Sequence, residues 1–443
     1  MSGGIGTARG AALCVGAVLG PGVLVLPAMA VRAAGPASLV AWAALLCVSA
    51  LIATSFATLG ARYPDAGGVA AFTQRAFGDR AAAVVGCWLY AAVPAGVVAG
   101  AIAGARYTAA AVGASGSVTA AMAVVLLAVV YAANLVGLRL SARLQLGLTG
   151  VLVGLLVAVV AVAGPRVDAE RISPFAPHGI AGVGSAVAVL FVAICGWEAT
   201  ANLSAEFTHP TQVRRAAGAS LAVIVALYAG LAVCTVGVLG DDAGDTAVPL
   251  MRLLSPVHRP WAAGVVAVAA VLFTVAASVT FVAAGARAGL SLARHRVLPA
   301  PLAITGGDGE PRRSVAVQAA AAAIVAVAAA GSPHVITVET LMRLFAALLA
   351  CVTLVGLVAA VRLLPLPRQR ACAAVAAFAV AAVAALSGAF LLAPAVVAAV
   401  VMTRRRRIPA PPNHPPSLAP DRARQDALSE LHAHPLAMLA RLR

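Results

Sequence analysis

Apolar residues run with few interruptions over twelve stretches of this chain, at residues 10–32, 37–60, 82–105, 118–137, 145–164, 182–205, 217–239, 261–286, 314–331, 336–361, 371–386 and 388–403, and polar residues collect in the gaps. Most stretches reach the roughly 20 residues that carry a helix across a bilayer. Residues 371–403 read either as one long tilted helix or as two short ones meeting near Ser387 and Gly388. A single helix would place Arg404 to Arg407 outside, so two are expected, giving twelve spans.

Two spans break their own pattern. The first carries GAVLGPGVLVLP, Gly16 to Pro27, in which Gly16, Gly20, Pro21 and Gly22 are poor residues for a helix interior. Each Gly costs roughly 1 kcal/mol against Ala, and Pro roughly 3. Broken backbone at membrane depth is tolerated only where it lines a cavity or is buried in protein, so residues 16 to 22 are expected to form a binding site. The sixth span reads AVAVLFVAICGWEATANLSAEF, Ala186 to Phe207, and places Gly196, Trp197 and Glu198 deep in an apolar segment. A carboxylate at that depth points to function or gating, with a hydrogen-bonded brace of a bent helix as the alternative. Five spans separate the starts of the two irregular helices. That spacing suits two inverted repeats with discontinuous helices in corresponding positions, over about 10–164 and 182–361.

Composition agrees with a polytopic membrane protein: 62% of 443 residues are hydrophobic and 10% charged, and the mean hydropathy is +0.99. No charged n-region with a small-residue cleavage site precedes the first span, so no removable signal peptide is expected. A net charge of +16 invites a nucleic-acid reading, but the distribution of the charge argues against that partner. Every basic residue is Arg. With the N-terminus inside, Arg32, Arg106, Arg166, Arg171, Arg252 and Arg259 fall outside, Arg343 falls within a span, and the remainder fall inside. This positive-inside bias places both termini in the cytoplasm. The seven cysteines all fall within spans and read as small packing residues, with neither a disulfide framework nor a metal-ligand spacing.

Other stretches admit a bland and a sharper reading. Arg62 to Arg80, with a turn at Pro64, Gly67 and Gly68 and an amphipathic stretch bearing Phe72 and Phe77, is either a connector with interfacial aromatics or a gate element. Pro94 and Gly96 fall within span three. Thr274, Ser278 and Thr280 on span eight are hydroxyls for a coordination site or for helix packing. Glu339 and Arg343 on span ten are spaced to pair on one face, as a structural ion pair or as part of an outer gate. The tail, 404–443, starts with a basic juxtamembrane cluster and continues Pro-rich, a topology anchor with disordered character.

GPGVLVLP (Gly20 to Pro27), RYPDAGGVAAFTQRAFG (Arg62 to Gly78) and FVAICGWEATANLSAEFTHP (Phe191 to Pro210) resemble the amino acid, polyamine and organocation (APC) superfamily. The chain looks most like its bacterial exporters of L-methionine and branched-chain amino acids. The resemblance implies an all-α polytopic membrane protein with the LeuT-type fold of five plus five inverted spans, about 12 transmembrane helices, and helices 1 and 6 discontinuous. It implies a transporter domain over 1–403, with a hairpin at 371–403 after the two repeats. It further implies that the substrate α-carboxylate meets backbone N–H groups at the first break, with Gly22 and Val23 the donors since Pro21 has none. The α-amino group would face carbonyls freed near Ala193 to Cys195. Relatives place an aromatic lid on span six, where this chain offers Phe191 and Trp197, and some use a Lys on span five that this chain lacks.

The expected substrate site is therefore Gly16, Gly20, Gly22, Val23, Phe191, Ala193, Ile194, Cys195, Gly196 and Trp197, with Glu198, Glu339 and Arg343 for gating or coupling. An apolar lining suits neutral side chains, whose burial offers roughly 1.5 to 3 kcal/mol. The leading reading is a plasma-membrane secondary transporter exporting Leu, Ile, Val or Met by alternating access, coupled to H+, with no cofactor and with a homodimer left open. An importer or exchanger of amino acids or amines is the runner-up, and a transport-dead sensor a third reading. A membrane enzyme is disfavoured, because all eight His residues lie in loops, at span ends or in the tail.

Overall fold

The structure is a computed structural model, and it describes residues 5–64, 68–137, 142–255, 260–306 and 309–405. The expectations for the basic, Pro-rich tail beyond residue 405, and for Gly67 in the loop after span two, lie outside the described residues.

The fold is helical throughout the described residues. In chain order it comprises α1 (Thr7–Val18), α2 (Leu26–Ala34), α3 (Ser38–Arg62), α4 (Gly68–Phe77), α5 (Asp79–Val112), α6 (Gly116–Leu135), α7 (Ala142–Ala163) and α8 (Gly179–Leu190). There follow α9 (Trp197–Leu203), α10 (Pro210–Cys234), α11 (Pro249–Leu253), α12 (Pro260–Arg294), α13 (Arg312–Gly331), α14 (Val338–Leu363), α15 (Pro367–Leu386) and α16 (Leu392–Arg405). Nine helical stretches among the described residues are long and apolar enough to cross a membrane, and three shorter apolar helices accompany them. Each expected span coincides with a helix or, for the first and sixth, with a broken pair: α1 with α2, and α8 with α9.

Local sequence sets the helix ends. Pro210 and Pro367 open α10 and α15 at the first-turn position, where a missing N–H costs nothing. The Thr337 hydroxyl caps α14 by accepting from the Thr340 N–H at 3.1 Å. Ser387 closes α15, a 3-10 turn over Gly388–Leu391 follows, and α16 packs its Val401 and Val397 against the start of α5 and the end of α12, while the Trp88 indole donates to the Pro394 carbonyl at 2.8 Å.

The core is built from close approaches. Trp42 of α3 stacks on Tyr228 of α10 with ring centroids 5.0 Å apart. On α5, Gly96, Gly100 and Gly104 recur every four residues and so form one smooth face; against it lie Phe345, Pro21 and Thr274 in turn. Helix α4 is not a solvated connector. Its Phe72 is fully buried in a cluster with Leu59, Ala201, Ala359, Ala360, Leu364 and Ala373, so α4 plugs the space between α3, α9, α14 and α15. The Arg362 guanidinium at the end of α14 sits 4.5 Å above the Phe77 ring and fastens α4 there.

Candidate functional site

The two broken helices meet in the centre of the bundle. Pro21 is the cause of the first break: it has no N–H for the Ala17 carbonyl four residues earlier. Helix α1 ends at Val18, the Gly20 N–H folds back to the Val18 carbonyl at 2.7 Å, and Pro21–Leu24 form a 3-10 turn before α2 begins. The Val23 N–H is taken by the Gly20 carbonyl at 3.1 Å. The Gly22 N–H, by contrast, has no partner among the described residues.

In the second break a 3-10 turn, Phe191–Ile194, is followed by extended Cys195 and by Gly196 at φ +121°. The Gly196 backbone lies against Ala17 and Val18; a Cβ there would collide with the Ala17 carbonyl and stand 2.9 Å from Val18 Cα. Only a residue without Cβ allows the breaks to touch.

Beside this contact is a cavity of about 30 Å³, lined by Ala17, Gly20, Pro21, Gly22, Val93, Gly96, Val97, Val192, Cys195, Ser278, Phe281, Met342 and Phe345. None of these side chains is charged. Ligand pockets start at roughly 300 Å³, so an amino acid enters only when the lining moves.

Of the expected substrate residues, Gly20, Gly22 and Cys195 line the cavity, and the rest do not. Gly16 is inside α1, one turn before the break, where its missing side chain admits the Thr149 hydroxyl of α7. Val23, Phe191, Ala193 and Ile194 are buried in the core behind the breaks. Trp197 is fully buried and donates its indole N–H to Ser49 Oγ at 2.8 Å, which anchors the start of α9 on α3. The aromatic rings that reach the cavity are instead Phe281 of α12 and Phe345 of α14, packed edge to face with centroids 5.8 Å apart.

The expected gating residues are all engaged. Glu198 accepts from the Gly196 N–H at 2.8 Å through Oε2, and from the Thr353 hydroxyl of α14 through Oε1. Glu339 and Arg343 form the expected i,i+4 pair at 2.8 Å, and Arg343 also donates to Ser185 Oγ of α8 at 2.6 Å. Thr280 bonds the Ala276 carbonyl of its own helix, whereas Ser278 faces the cavity.

Tyr107 of α5 was not signalled by sequence. Its buried hydroxyl donates to the Leu24 carbonyl at 2.7 Å and accepts from the Leu250 N–H of α11 at 3.2 Å, so it ties the first break to the loop helix above it. Tyr107→Phe leaves both backbone groups buried and unpaired, a loss of about 2 kcal/mol. The expected result is a thermal-denaturation midpoint in detergent lowered by several degrees; an unchanged midpoint would show that the bridge contributes nothing.

The amino acid permease family model matches residues 5–415 of this chain. Among curated proteins, the chain is 31% identical over 248 residues to YecA of Bacillus subtilis, an uncharacterized amino acid permease, covering 56% of this chain and 58% of YecA. It is 43% identical over 93 residues to YjeH of Escherichia coli, an L-methionine/branched-chain amino acid exporter, covering 21% of this chain and 22% of YjeH. The chain thus spans somewhat over half of the first relative's length and about a fifth of the second's.

Proposed function

Since the chain belongs to the amino acid permease family, whose members are membrane transporters of amino acids, we propose that it exports neutral apolar amino acids of the Leu, Ile, Val and Met class in exchange for protons. The observation that carries this reading is the uncharged cavity at the crossing of two broken helices. The substrate carboxylate meets the Gly22 N–H, and the ammonium faces the Ala17 carbonyl that Pro21 leaves without a donor. The side chain then falls among Val93, Val97, Met342 and Phe345. Burying an aliphatic side chain there is worth about 1.5 to 3 kcal/mol, and a cationic or anionic one would find no counter-charge.

The small volume supports alternating access, because the cavity must open to one side or the other for any amino acid to enter. Glu198, the carboxyl group adjoining the second break, is the proton-coupling residue in this reading. The broken helices stand five spans apart, in keeping with inverted repeats over about 10–164 and 182–361 within a transporter domain at 1–403. We place the protein in the plasma membrane with both termini in the cytoplasm, following the arginine distribution. Export follows the precedent of YjeH, whose name describes an exporter.

The test is efflux of preloaded radiolabelled leucine and methionine from cells expressing the chain. Faster efflux than in empty cells, lost on adding a proton uncoupler, is the expected result. Absent efflux together with uptake or exchange of external substrate would replace export with the importer or exchanger reading.

A further inference from the structure

Helix α14 touches both halves of the broken α8–α9 span. Above the break, Arg343 donates to Ser185 Oγ of α8 at 2.6 Å while Glu339 holds its guanidinium at 2.8 Å from the same helix. Below the break, the Thr353 hydroxyl donates to Glu198 of α9. Arg343 and Thr353 are ten residues apart, about 15 Å along a helix axis. On the same helix Met342, next to Arg343, and Phe345, between the two contacts, line the cavity, and Phe345 lies against the bare face of Gly96 on α5.

A break releases the two half-helices from their common backbone ladder, so their mutual alignment has to come from neighbours. Helix α14 is unbroken over Val338–Leu363 and supplies a polar contact on each side of the gap. We propose that α14 is a splint across the broken span, with Ser185 and Thr353 as positioning residues: the Arg343–Ser185 contact holds the cavity shut on one side of the membrane, and the Thr353–Glu198 contact holds it shut on the other. The two contacts are independent latches on one rigid rod. Opening toward either side requires breaking one while the other persists, which is the exclusion that alternating access demands. Phe345, carried on the same rod, is displaced with whichever end moves. The inference rests on the alternating-access reading above, but not on the identity of the substrate.

The reporter is Cys195, which lines the cavity. Its modification by a membrane-impermeant methanethiosulfonate reagent, applied from one side of the membrane at a time and read by peptide mass mapping, needs neither a known substrate nor removal of other cysteines. Ser185→Ala should speed labelling from one side alone, by about fivefold, the factor corresponding to one lost hydrogen bond. Thr353→Val should speed labelling by a similar factor from the opposite side alone. Ser185→Thr and Thr353→Ser, which retain the hydroxyls, should label at the wild-type rate. Enhanced labelling from the same side in both variants, from both sides in either, or from neither side would overturn the splint. Labelling as expected without leucine or methionine flux would instead retain the splint and remove the substrate assignment.

Discussion

Gly196→Ala is expected to abolish transport and to reduce the yield of folded protein sharply. Two independent penalties fall on the same atom. The backbone at Gly196 has φ +121°, a region that costs other residues about 1 to 3 kcal/mol. Its Cβ would also collide with the Ala17 carbonyl and lie 2.8 Å from the carbonyl carbon. The obstacle is backbone rather than the end of a flexible side chain, so relief requires the two breaks to separate. Separating them dismantles the cavity whose wall they share, and a combined cost above about 3 kcal/mol corresponds to more than a hundredfold in flux. Gly218→Ala on α10, where the added methyl meets open space, is the control and should transport normally. Monodisperse protein by size-exclusion chromatography and flux within a few-fold of wild type would show that the breaks need not touch.

Much of this arrangement was legible in the sequence, for reasons that differ by element. The spans announce themselves because a bilayer demands about 20 apolar residues from each, and the two breaks because Pro21 and the Gly196–Glu198 pair are costly at membrane depth. Glu339 and Arg343 pair as their i,i+4 spacing requires. The lining of the cavity was less legible, since it depends on which faces meet. Phe281 and Phe345 look like any core aromatics until α12 and α14 are set beside α5. Trp197, adjacent to the break in sequence, turns away to bond Ser49. One signal was available: Gly96, Gly100 and Gly104 at four-residue spacing mark a face of α5 that something must approach closely, and Phe345 and Pro21 are what approach it. No local pattern could reveal the Thr353–Glu198 or Arg343–Ser185 contacts, whose partners lie some 155 and 158 residues apart in the chain.

Gly22→Val is the second change with a large expected effect, and it separates loss of function from loss of fold. Gly22 adopts no left-handed conformation, so valine meets no backbone penalty. Its Cβ would sit 2.8 Å from Leu26 Cδ1, the free end of a side chain that can turn aside, and 3.2 Å from Val192 Cγ1. The fold should therefore persist, with normal insertion and a monodisperse elution profile. The binding site should not persist. Branched methyl groups would occupy a cavity of only about 30 Å³ and shield the Gly22 N–H, which has no partner among the described residues. A hydrogen bond to a charged group is worth about 1.5 to 3 kcal/mol, so its loss alone predicts a fall in leucine efflux of about ten- to a hundredfold, before steric exclusion is counted. Gly22→Ala, which needs only the Leu26 adjustment, should fall between the two. If Gly22→Val carries leucine at the wild-type rate, the carboxylate does not bind at this turn.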